Sequence, residues 1–479
     1  MRFAAVMLLL AGCDKIFTLT PPDPTVPPRT VKLTYDRVWL GSGGQVTREA
    51  LDPETLYVQK LDGTEIPFTR TGLGTVEFTT DVAVYAVGAA TKFGGTEVQF
   101  SGADVHIRER VLGRPTRTTP VTPNTRIDFD VVPVPNPGPM TNYYVHTIGL
   151  WAQGEVPQPT SEVDYSGFNS LSGPLGVLDP AQGDELFLLE NGTFIDTSAV
   201  ARQRDQLLGY LRRAPALVPG GSVAIAGSLI ATTTSHCVRI TAEPTEELDR
   251  IESVAASSFA LPAADWTVSS IPHGDLDIGG TALLAQDSST DKTTSYDVKF
   301  ENPISAATIV SMGAQRLRFY TVPGAVDATT LAYEVRVYNP PIPAVAGPCA
   351  DQLLSAGRVA LVDSISVNGK TISRDDQVVP DGDLDVTWST SNGDADMYSV
   401  YLIEMTNSPA MMTVPIARIG ITTAATRARI RSDYLQPGHY YYLAVETHVG
   451  FPGAQAGDFA TIAYPRGYSS GVSGVFLVE

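Results

Sequence analysis

Short runs in which apolar and polar residues alternate recur along most of this chain. A period of two is typical of β-strands with one buried and one exposed face. The pattern begins with Val31, Leu33 and Tyr35, and the pair Asp62-Gly63 indicates a hairpin turn. We therefore predict an all-β protein of serial β-sandwich domains, with a β-rich middle domain that carries one short helix.

The first predicted sandwich covers residues 31–130. Apolar positions two residues apart continue through it at Val76 and Phe78, Val82 and Val84, Val98 and Phe100, and Val105 and Ile107. The run ALDPETLYVQKLDGTEIPF at Ala50–Phe68, followed by GTVEF and TEVQF, resembles the bacterial Ig-like modules of surface proteins. The resemblance implies a small antiparallel sandwich, which the alternation also predicts.

The middle region, residues 131–339, opens on the Pro-rich segment VVPVPNPGPM and is predicted to form one large β-rich domain or two small ones. Strand patterns lie at Glu185–Leu189, Ser222–Ile230, Cys237–Ala242, Trp266–Ile271, Tyr296–Phe300, Arg316–Val322 and Leu331–Tyr338. The best helix pattern in the chain is Ser198–Arg213, which Ser198 would cap and Pro215 would stop. Its apolar residues share one helical face at Val200, Leu207, Leu208 and Leu211.

The run NPPIPAVAGP at Asn339–Pro348 opens a predicted Pro-rich linker, residues 340–360, to the last domain, residues 361–479. In that domain the motif DLDVTWS places Leu384, Val386 and Trp388 on one strand face, and LQPG precedes Tyr441. This order of motifs resembles a fibronectin type III module with its tyrosine corner. The resemblance implies a sandwich in which Trp388 and Tyr441 share a core and Tyr442 points outward, and it implies adhesive or spacer roles without catalysis.

The N-terminal sequence MRFAAVMLLLAGC contains a short apolar run between Arg2 and Cys13. The run is shorter than the roughly 20 residues that cross a bilayer, which predicts a cleaved signal peptide at residues 1–12. Its ending LAGC resembles the lipobox of bacterial lipoproteins, which implies that Cys13 carries lipid. A signal peptide with a chance cysteine is the alternative. Residues 13–30 hold five prolines and are predicted to be a stiff spacer.

The formal net charge of −19 excludes the basic footprint that a nucleic-acid binder needs. The 42 glycines and 35 prolines favour turns and short strands over helices. The chain has three cysteines, so Cys237 and Cys349 remain if Cys13 carries lipid. Outside the cytoplasm such a pair indicates a disulfide, and two buried free thiols are the open alternative.

Three local patterns suggest chemistry but lack its other requirements. The sequence GYSSG at Gly467–Gly471 matches the nucleophile motif G-x-S-x-G, yet only eight residues and no histidine follow it. Asp381, Asp383 and Asp385 suggest calcium, but Val386 stands where the EF-hand loop needs glycine. The six histidines never fall at zinc-ligand spacing. We therefore predict no catalytic residues, no metal and no cofactor.

These observations favour a non-enzymatic binding, adhesion or spacer protein, anchored by lipid in a bacterial cell envelope, with the outer membrane favoured over the inner. Its predicted contacts are the membrane, through the lipid, and an envelope protein or glycan. Two alternatives remain open. One is a glycan-directed envelope hydrolase with paired carboxylates in the middle region, and the other is an accessory subunit of an envelope transport or assembly complex.

The segment Thr447–Gly471 is the predicted partner-binding loop. It carries aromatic residues among glycines and prolines at Phe451, Phe459, Tyr464 and Tyr468. Aromatic side chains are favoured contact anchors at interfaces. Packing of these side chains onto their own domain is the alternative.

Overall fold

The computed structural model of the chain describes residues 25–40, 46–50, 56–89, 95–115, 119–135, 140–170, 175–196, 202–233, 236–242, 244–254, 259–271, 281–287, 294–304, 307–320, 329–340, 349–354, 359–373, 377–407 and 413–479. Within these ranges β-strand dominates, and the predicted all-β, sandwich-type fold is confirmed. No helix in the described ranges is long and apolar enough to cross a membrane.

The N-terminal region folds as two strand layers over one core. Its strands are β1 (Thr25–Leu40), β2 (Val46–Ala50), β3 (Leu56–Lys60), β4 (Phe68–Gly72), β5 (Thr75–Val82), β6 (Tyr85–Ala89), β7 (Gly95–Phe100) and β8 (Asp104–Leu112). In one layer β1 pairs antiparallel with β2 and β5 and parallel with β8. β3, β6 and β7 form the other layer, and the alternating residues Val31 and Leu33 are fully buried between the two.

The end of the predicted spacer belongs to β1. This strand begins at Thr25, so residues 25–30 are part of the sheet. Its pairing with β5 is interrupted between Thr25 and Arg29, where Pro27 and Pro28 lie. Prolines lack the N–H that a strand ladder needs, so they are tolerated at such an irregularity. Cys13 and the rest of the spacer lie outside the described residues.

The middle region contributes 16 of the 34 strands in the described residues. They are β9 (Arg126–Val132), β10 (Met140–Ile148), β11 (Ala152–Val156), β12 (Glu162–Asp164), β13 (Asn169–Ser170), β14 (Glu185–Asp196), β15 (Arg202–Arg213), β16 (Ser222–Ser228), β17 (Ile230–Ala231), β18 (His236–Ala242), β19 (Phe259–Ile271), β20 (Thr281–Asp287), β21 (Thr294–Phe300), β22 (Ala307–Tyr320), β23 (Thr329–Tyr338) and β24 (Ala350–Leu354). β9 crosses the predicted domain boundary at residue 130 and pairs with β12 and β16, and β24 lies inside the predicted linker.

The helix predicted at Ser198–Arg213 is wrong, because Arg202–Arg213 is strand β15. Its register with β14 skips Leu208, which marks a β-bulge. Leu207 consequently packs in one hydrophobic core and Leu211 in another, on the opposite side of the sheet. Because both faces of β15 are buried, its leucines do not alternate with polar residues, and their spacing matches the spacing of apolar residues on one face of a helix.

The α-helix in the described residues is α1, Pro244–Val254, for which no helix was predicted from the sequence. Proline at the first position and two acidic residues in the first turn are typical of a helix N-terminus. Leu248 and Ile251, three residues apart, are buried in the core of the middle region. Arg250 donates to the carbonyls of Val359 and Asn392, both at 2.8 Å, and so fixes the helix against the C-terminal region.

The C-terminal region is a two-sheet sandwich. Its strands are β25 (Leu361–Val367), β26 (Lys370–Thr371), β27 (Gln377–Val379), β28 (Leu384–Ser391), β29 (Met397–Asn407), β30 (Thr413–Thr423), β31 (Arg427–Ile430), β32 (Tyr440–Val449), β33 (Arg466–Val472) and β34 (Phe476–Val478). One sheet runs β26-β25-β28-β31, and the other runs β27-β34-β32-β29-β30. Trp388 and Tyr441 lie in the core between them.

The three regions are not strung out, because strand pairing joins them laterally. β33 pairs with both β32 and β23, and β30 pairs in parallel with β7. A single hydrogen-bonded sheet of 19 described strands results, with β17, β27 and β34 branching from a line of 16. Its main line is β13-β11-β10-β14-β15-β20-β19-β22-β23-β33-β32-β29-β30-β7-β6-β3.

Cys237 and Cys349 form a disulfide, with their Cα atoms 4.6 Å apart. Each stands beside the parallel pairing of β18 with β24, in which Val238 lies opposite Ala350. The disulfide therefore links β18 to the residue directly before β24, 112 positions later in the sequence.

Candidate functional site

One face of the long sheet is polar and aromatic where the middle and C-terminal regions meet. Strand register aligns Gly313 of β22, Arg336 of β23, Tyr468 of β33 and His448 of β32 in one row, and Asp265 of β19 lies opposite Gly313. The next row, two residues along, holds Glu334, Ser470, Glu446 and Ser399. We call these side chains, together with Tyr401 on β29, the junction face.

The alternation of the strands explains why these side chains share a face. In β32 the odd-numbered Leu443 and Val445 are fully buried in the C-terminal core, so Glu446 and His448 point the other way. In β23 Val335 and Val337 lie in the core of the middle region, and Glu334 and Arg336 alternate with them. Two separate cores therefore present a single outer surface.

Arg336 is held by two carboxylates. Its Nη2 donates to Oδ1 of Asp265 at 3.1 Å, and its Nε donates to Oε1 of Glu334 at 3.2 Å. The arginine side chain passes over Gly313, where a Cβ atom would lie 2.4 Å from the guanidinium. Burial alone would lower the pKa of Arg336, but these carboxylates outweigh it and raise that pKa.

A second group of contacts surrounds Glu446. The Tyr401 hydroxyl donates to its Oε2 at 3.5 Å, and His448 Nε2 lies 3.4 Å from the same oxygen. His448 Nε2 also lies 3.1 Å from the Ser399 hydroxyl. Burial, followed by the charge of Glu446, raises the pKa of Tyr401, and burial followed by Glu334 raises that of Tyr468. Both phenols are therefore neutral hydrogen-bonding groups.

The face is partly open to solvent, and its carboxylates are the more exposed groups. The side chain of Asp265 is 34% exposed, against 23% for Arg336. Glu446 is 26% exposed, against 13% for His448. An incoming ligand would therefore meet acceptor oxygens before it met cations.

Aromatic residues from the C-terminal segment pack at one end of the face. The Phe451 ring lies edge-on to His448, with 6.0 Å between centroids, and the His448 and Tyr468 rings are 6.3 Å apart. The Asp396 carboxylate accepts from the backbone N–H groups of Gly450 and Phe451, which fixes this turn.

No family model matches the sequence, and no curated protein is significantly similar to it.

The structure brings three of the four predicted aromatic contact residues to the junction face. Tyr468 lies on it, and Tyr464 packs with Tyr468 around Ile309 and Tyr338. Phe451 borders it through His448 and also packs against the N-terminal core. The prediction that the segment faces a partner is wrong for Phe459. Its side chain is 7% exposed, and its ring packs against Phe100 of the N-terminal core at 5.6 Å.

The segment is also attached to the N-terminal region by hydrogen bonds. The backbone N–H of His106 in β8 donates to Gly457, and that of Phe459 donates to His106. His106 Nδ1 lies 3.3 Å from Asp458, and its Nε2 lies 3.4 Å from Asp36. This part of the predicted loop is therefore an internal connector between domains.

The outward position predicted for Tyr442 needs correction. Its side chain does lie opposite Tyr441 on β32, but it is 4% exposed. Leu331, Met405 and Val475 cover it in a small separate cluster. Burial raises the pKa of Tyr442 to about 12. Contact with the middle region removes the solvent that an isolated sandwich would have on this face.

The serine and aspartate motifs of the sequence have structural roles in the fold. Ser469 of the G-x-S-x-G match lies in β33, where its hydroxyl bonds Thr447 and the Ala360 carbonyl. Asp383 and Asp385 bind Arg429 and Arg427 across neighbouring strands. Among the described residues there is no group of three or more side chains arranged to hold a metal ion.

Apart from the junction face, the structure has a cavity between the N-terminal and C-terminal regions, beside the β7–β30 pairing. It has a volume of about 250 Å³ and an alanine-rich lining that includes Phe100. Its arginines, Arg427 and Arg429, are those already bound by aspartates. Nearby, Glu97 is buried and accepts from the amides of Gln59 and Gln99. Burial raises the pKa of Glu97. The charged groups beside this cavity already have hydrogen-bond or ion-pair partners, so the cavity is interpreted as a contact between the two regions.

Proposed function

We propose that this protein works by contact through the junction face, as a lipid-anchored binding module of a bacterial cell envelope. The observation that carries the proposal is the face itself. Two tyrosines, three carboxylates, an arginine and a histidine from two regions lie on one rigid sheet and are held in place by one another. Preorganised groups lose little conformational entropy when a partner binds.

The fibronectin type III resemblance supports this proposal. The Tyr441 hydroxyl accepts from the backbone N–H of Gln436 at 2.8 Å, which is the contact that a tyrosine corner makes. Trp388 packs on the Tyr398 ring at 5.3 Å in the same core as Tyr441. We propose that the last region is a member of this class of module and that Cys13 carries the anchor.

The proposed contact function is tested by capture from native envelope extracts. The full chain, its Tyr468→Ala and Tyr401→Ala variants, and a Tyr144→Ala control are used as baits. Tyr144 is a half-buried tyrosine on β10 beside Glu155 and so matches the chemistry away from the face. Capture of a partner should fall with both junction-face variants and persist with Tyr144→Ala. Equal capture by all four baits would refute the proposed role of the face.

The anchor is tested separately with Cys13→Ser. Metabolic labelling with palmitate should be lost, and the variant should leave the membrane fraction. If the wild type takes up no palmitate and Cys13→Ser stays membrane-bound, the anchor is disproved and the contact surface is unaffected.

One observation favours a second candidate function, a glycan hydrolase. Glu334 and Glu446 flank Ser470 in a single row, two strand spacings apart, which places their Cα atoms roughly 10 Å from each other. Inverting glycosidases use carboxyl groups separated by about 6.5–9.5 Å. Release of sugars from a glycan by the wild type, lost in Glu334→Gln and in Glu446→Gln, would establish hydrolysis in place of binding.

A further inference from the structure

The junction face has the chemistry and the length for a chain-like ligand. Tyr468 and Glu446 are diagonal neighbours on β33 and β32, and Glu446 and Tyr401 are diagonal neighbours on β32 and β29. Each diagonal step across a sheet is about 7–8 Å. The series Tyr468, Glu446, Tyr401 therefore forms a track longer than one small ring, with an aromatic group at each end and a carboxylate between them.

The residues between the larger side chains of this track are small. Ser470 is half-buried, whereas Ser399 and Ala444 are buried beneath their neighbours, and Ala444 belongs to the apolar cluster around Tyr442, against which Tyr401 also packs. A tyrosine ring offers an apolar face, whereas a carboxylate offers several acceptor positions and no donor. The complementary ligand presents C–H faces and many hydroxyl donors in alternation, which is the surface of a sugar chain.

Backbone pairing argues against an extended peptide on the track. β33 is paired on both sides, by β23 and β32, and β32 lies between β33 and β29. Peptides that add to a sheet require an unpaired strand edge. The middle of a sheet offers none, so side chains must provide the affinity here.

Charge argues against an anionic chain. Asp265, Glu334 and Glu446 are the more exposed members of their ion pairs, and Arg336 is already engaged by two of them. The whole chain carries a formal net charge of −19. Arg336 and His448, the basic groups on the described part of the face, already lie against these carboxylates. A polyanion would therefore meet repulsion, because like charges brought together at an interface cost free energy.

We infer that the junction face binds a neutral, hydroxyl-rich glycan, laid along the diagonal from Tyr468 through Glu446 to Tyr401. The inference rests on the proposed contact function and names its ligand class. The two rings stack on sugar faces, and Glu446 accepts hydroxyl hydrogen bonds between them. Phe451, which packs on His448, borders the Tyr468 end of the track.

The test is binding of the full chain to neutral oligosaccharides, in a detergent without a sugar headgroup. The probes are cellohexaose, maltohexaose, laminarihexaose, mannohexaose and the hexamer of N-acetylglucosamine, with polygalacturonate as the polyanion. At least one neutral probe should bind, and polygalacturonate should not. Tyr468→Ala and Tyr401→Ala should each weaken binding about tenfold or more, and Glu446→Gln severalfold, while Tyr144→Ala should bind as the wild type does.

Tyr468→Phe keeps the ring and removes the hydroxyl, so it separates stacking from loss of fold. It should retain binding if Tyr468 stacks on the sugar. Failure of all the neutral probes, or binding of polygalacturonate in their place, overturns the glycan inference. If envelope capture still depends on Tyr468 in that case, the contact function stands with a different ligand. If capture is also independent of Tyr468, both proposals fail.

Discussion

The cores of the C-terminal and middle regions are assembled in different ways. Every residue of the C-terminal core comes from one stretch, between Val362 and Val478. The main core of the middle region combines Val38 and Leu40 of β1 with residues as late as Leu361. The first core closes within its own sequence, whereas the second depends on distant segments that meet only in the folded chain. Loop closure over long separations costs entropy, and a disulfide lies beside this second core.

The largest expected effect comes from removing that disulfide. Cys237 and Cys349 are 112 positions apart, and a bond that closes such a loop contributes up to about 5 kcal/mol in the chain-entropy model. The double variant Cys237→Ser with Cys349→Ser should lose stability on this scale, as measured by denaturant unfolding. Reductant should destabilise the wild type and leave the double variant unchanged. A wild type that is insensitive to reductant would contradict the prediction.

Trp388→Ala addresses the local core. Trp388 is buried against Tyr398, and truncation of a buried tryptophan costs about 3–5 kcal/mol. If the core closes within its own sequence, hydrogen-exchange protection should fall in residues 361–479 and persist in β14 and β15. Equal loss of protection in both regions would show that the two cores unfold together.

His146 in the middle region gives a test of pH dependence. Its side chain is buried beside Trp151, and burial lowers its pKa from 6.5 to about 4. A lowered folded-state pKa means that the stability contribution is complete above pH 6.5 and is lost as the pH falls towards 4. The loss should approach about 3 kcal/mol. His146→Phe should flatten this part of the profile of stability against pH. An unchanged profile would show that the lowered pKa of His146 does not contribute to the stability of the fold.

The smallest expected effect is that of Tyr441→Phe. The change removes the hydroxyl that accepts from Gln436 and should cost about 1 kcal/mol. Tyr440→Phe, on the opposite face of β32, is the matched control and should have no effect on thermal unfolding. A Tyr441→Phe variant as stable as the wild type would show that the hydrogen bond between Tyr441 and Gln436 does not stabilise the fold.

The sequence was informative wherever one strand face is buried and the other is not. In β28 the alternation around Trp388 identified the inner positions correctly. In β32 it identified Tyr441 but not the burial of Tyr442, because the middle region covers the other face of that strand. It misled at β15, because Leu207 and Leu211 serve two cores on opposite sides of the sheet. It missed α1, although Pro244 with two acidic residues in the first turn was a readable signal.

The candidate site was less predictable than the fold. Aromatic residues between Thr447 and Gly471 pointed to Tyr468, but nothing in the sequence paired β33 with β23. Glu334 and Arg336 therefore had no apparent relation to Glu446 and His448. Contacts between strands more than a hundred residues apart depend on register, which a single sequence does not display.

The parallel pairing of β1 with β8 has a mechanical consequence. Nine residue pairs, from Lys32 with Asp104 to Leu40 with Leu112, lie along one strand axis. Tension applied at the N-terminal end of β1 acts along that axis, whereas the hydrogen bonds between the strands run across it. All of these hydrogen bonds are therefore loaded together, in shear, and do not open one after another. If Cys13 holds the protein to a membrane, a pull on a captured partner reaches the fold through β1, whose nine pairs with β8 would have to slide together.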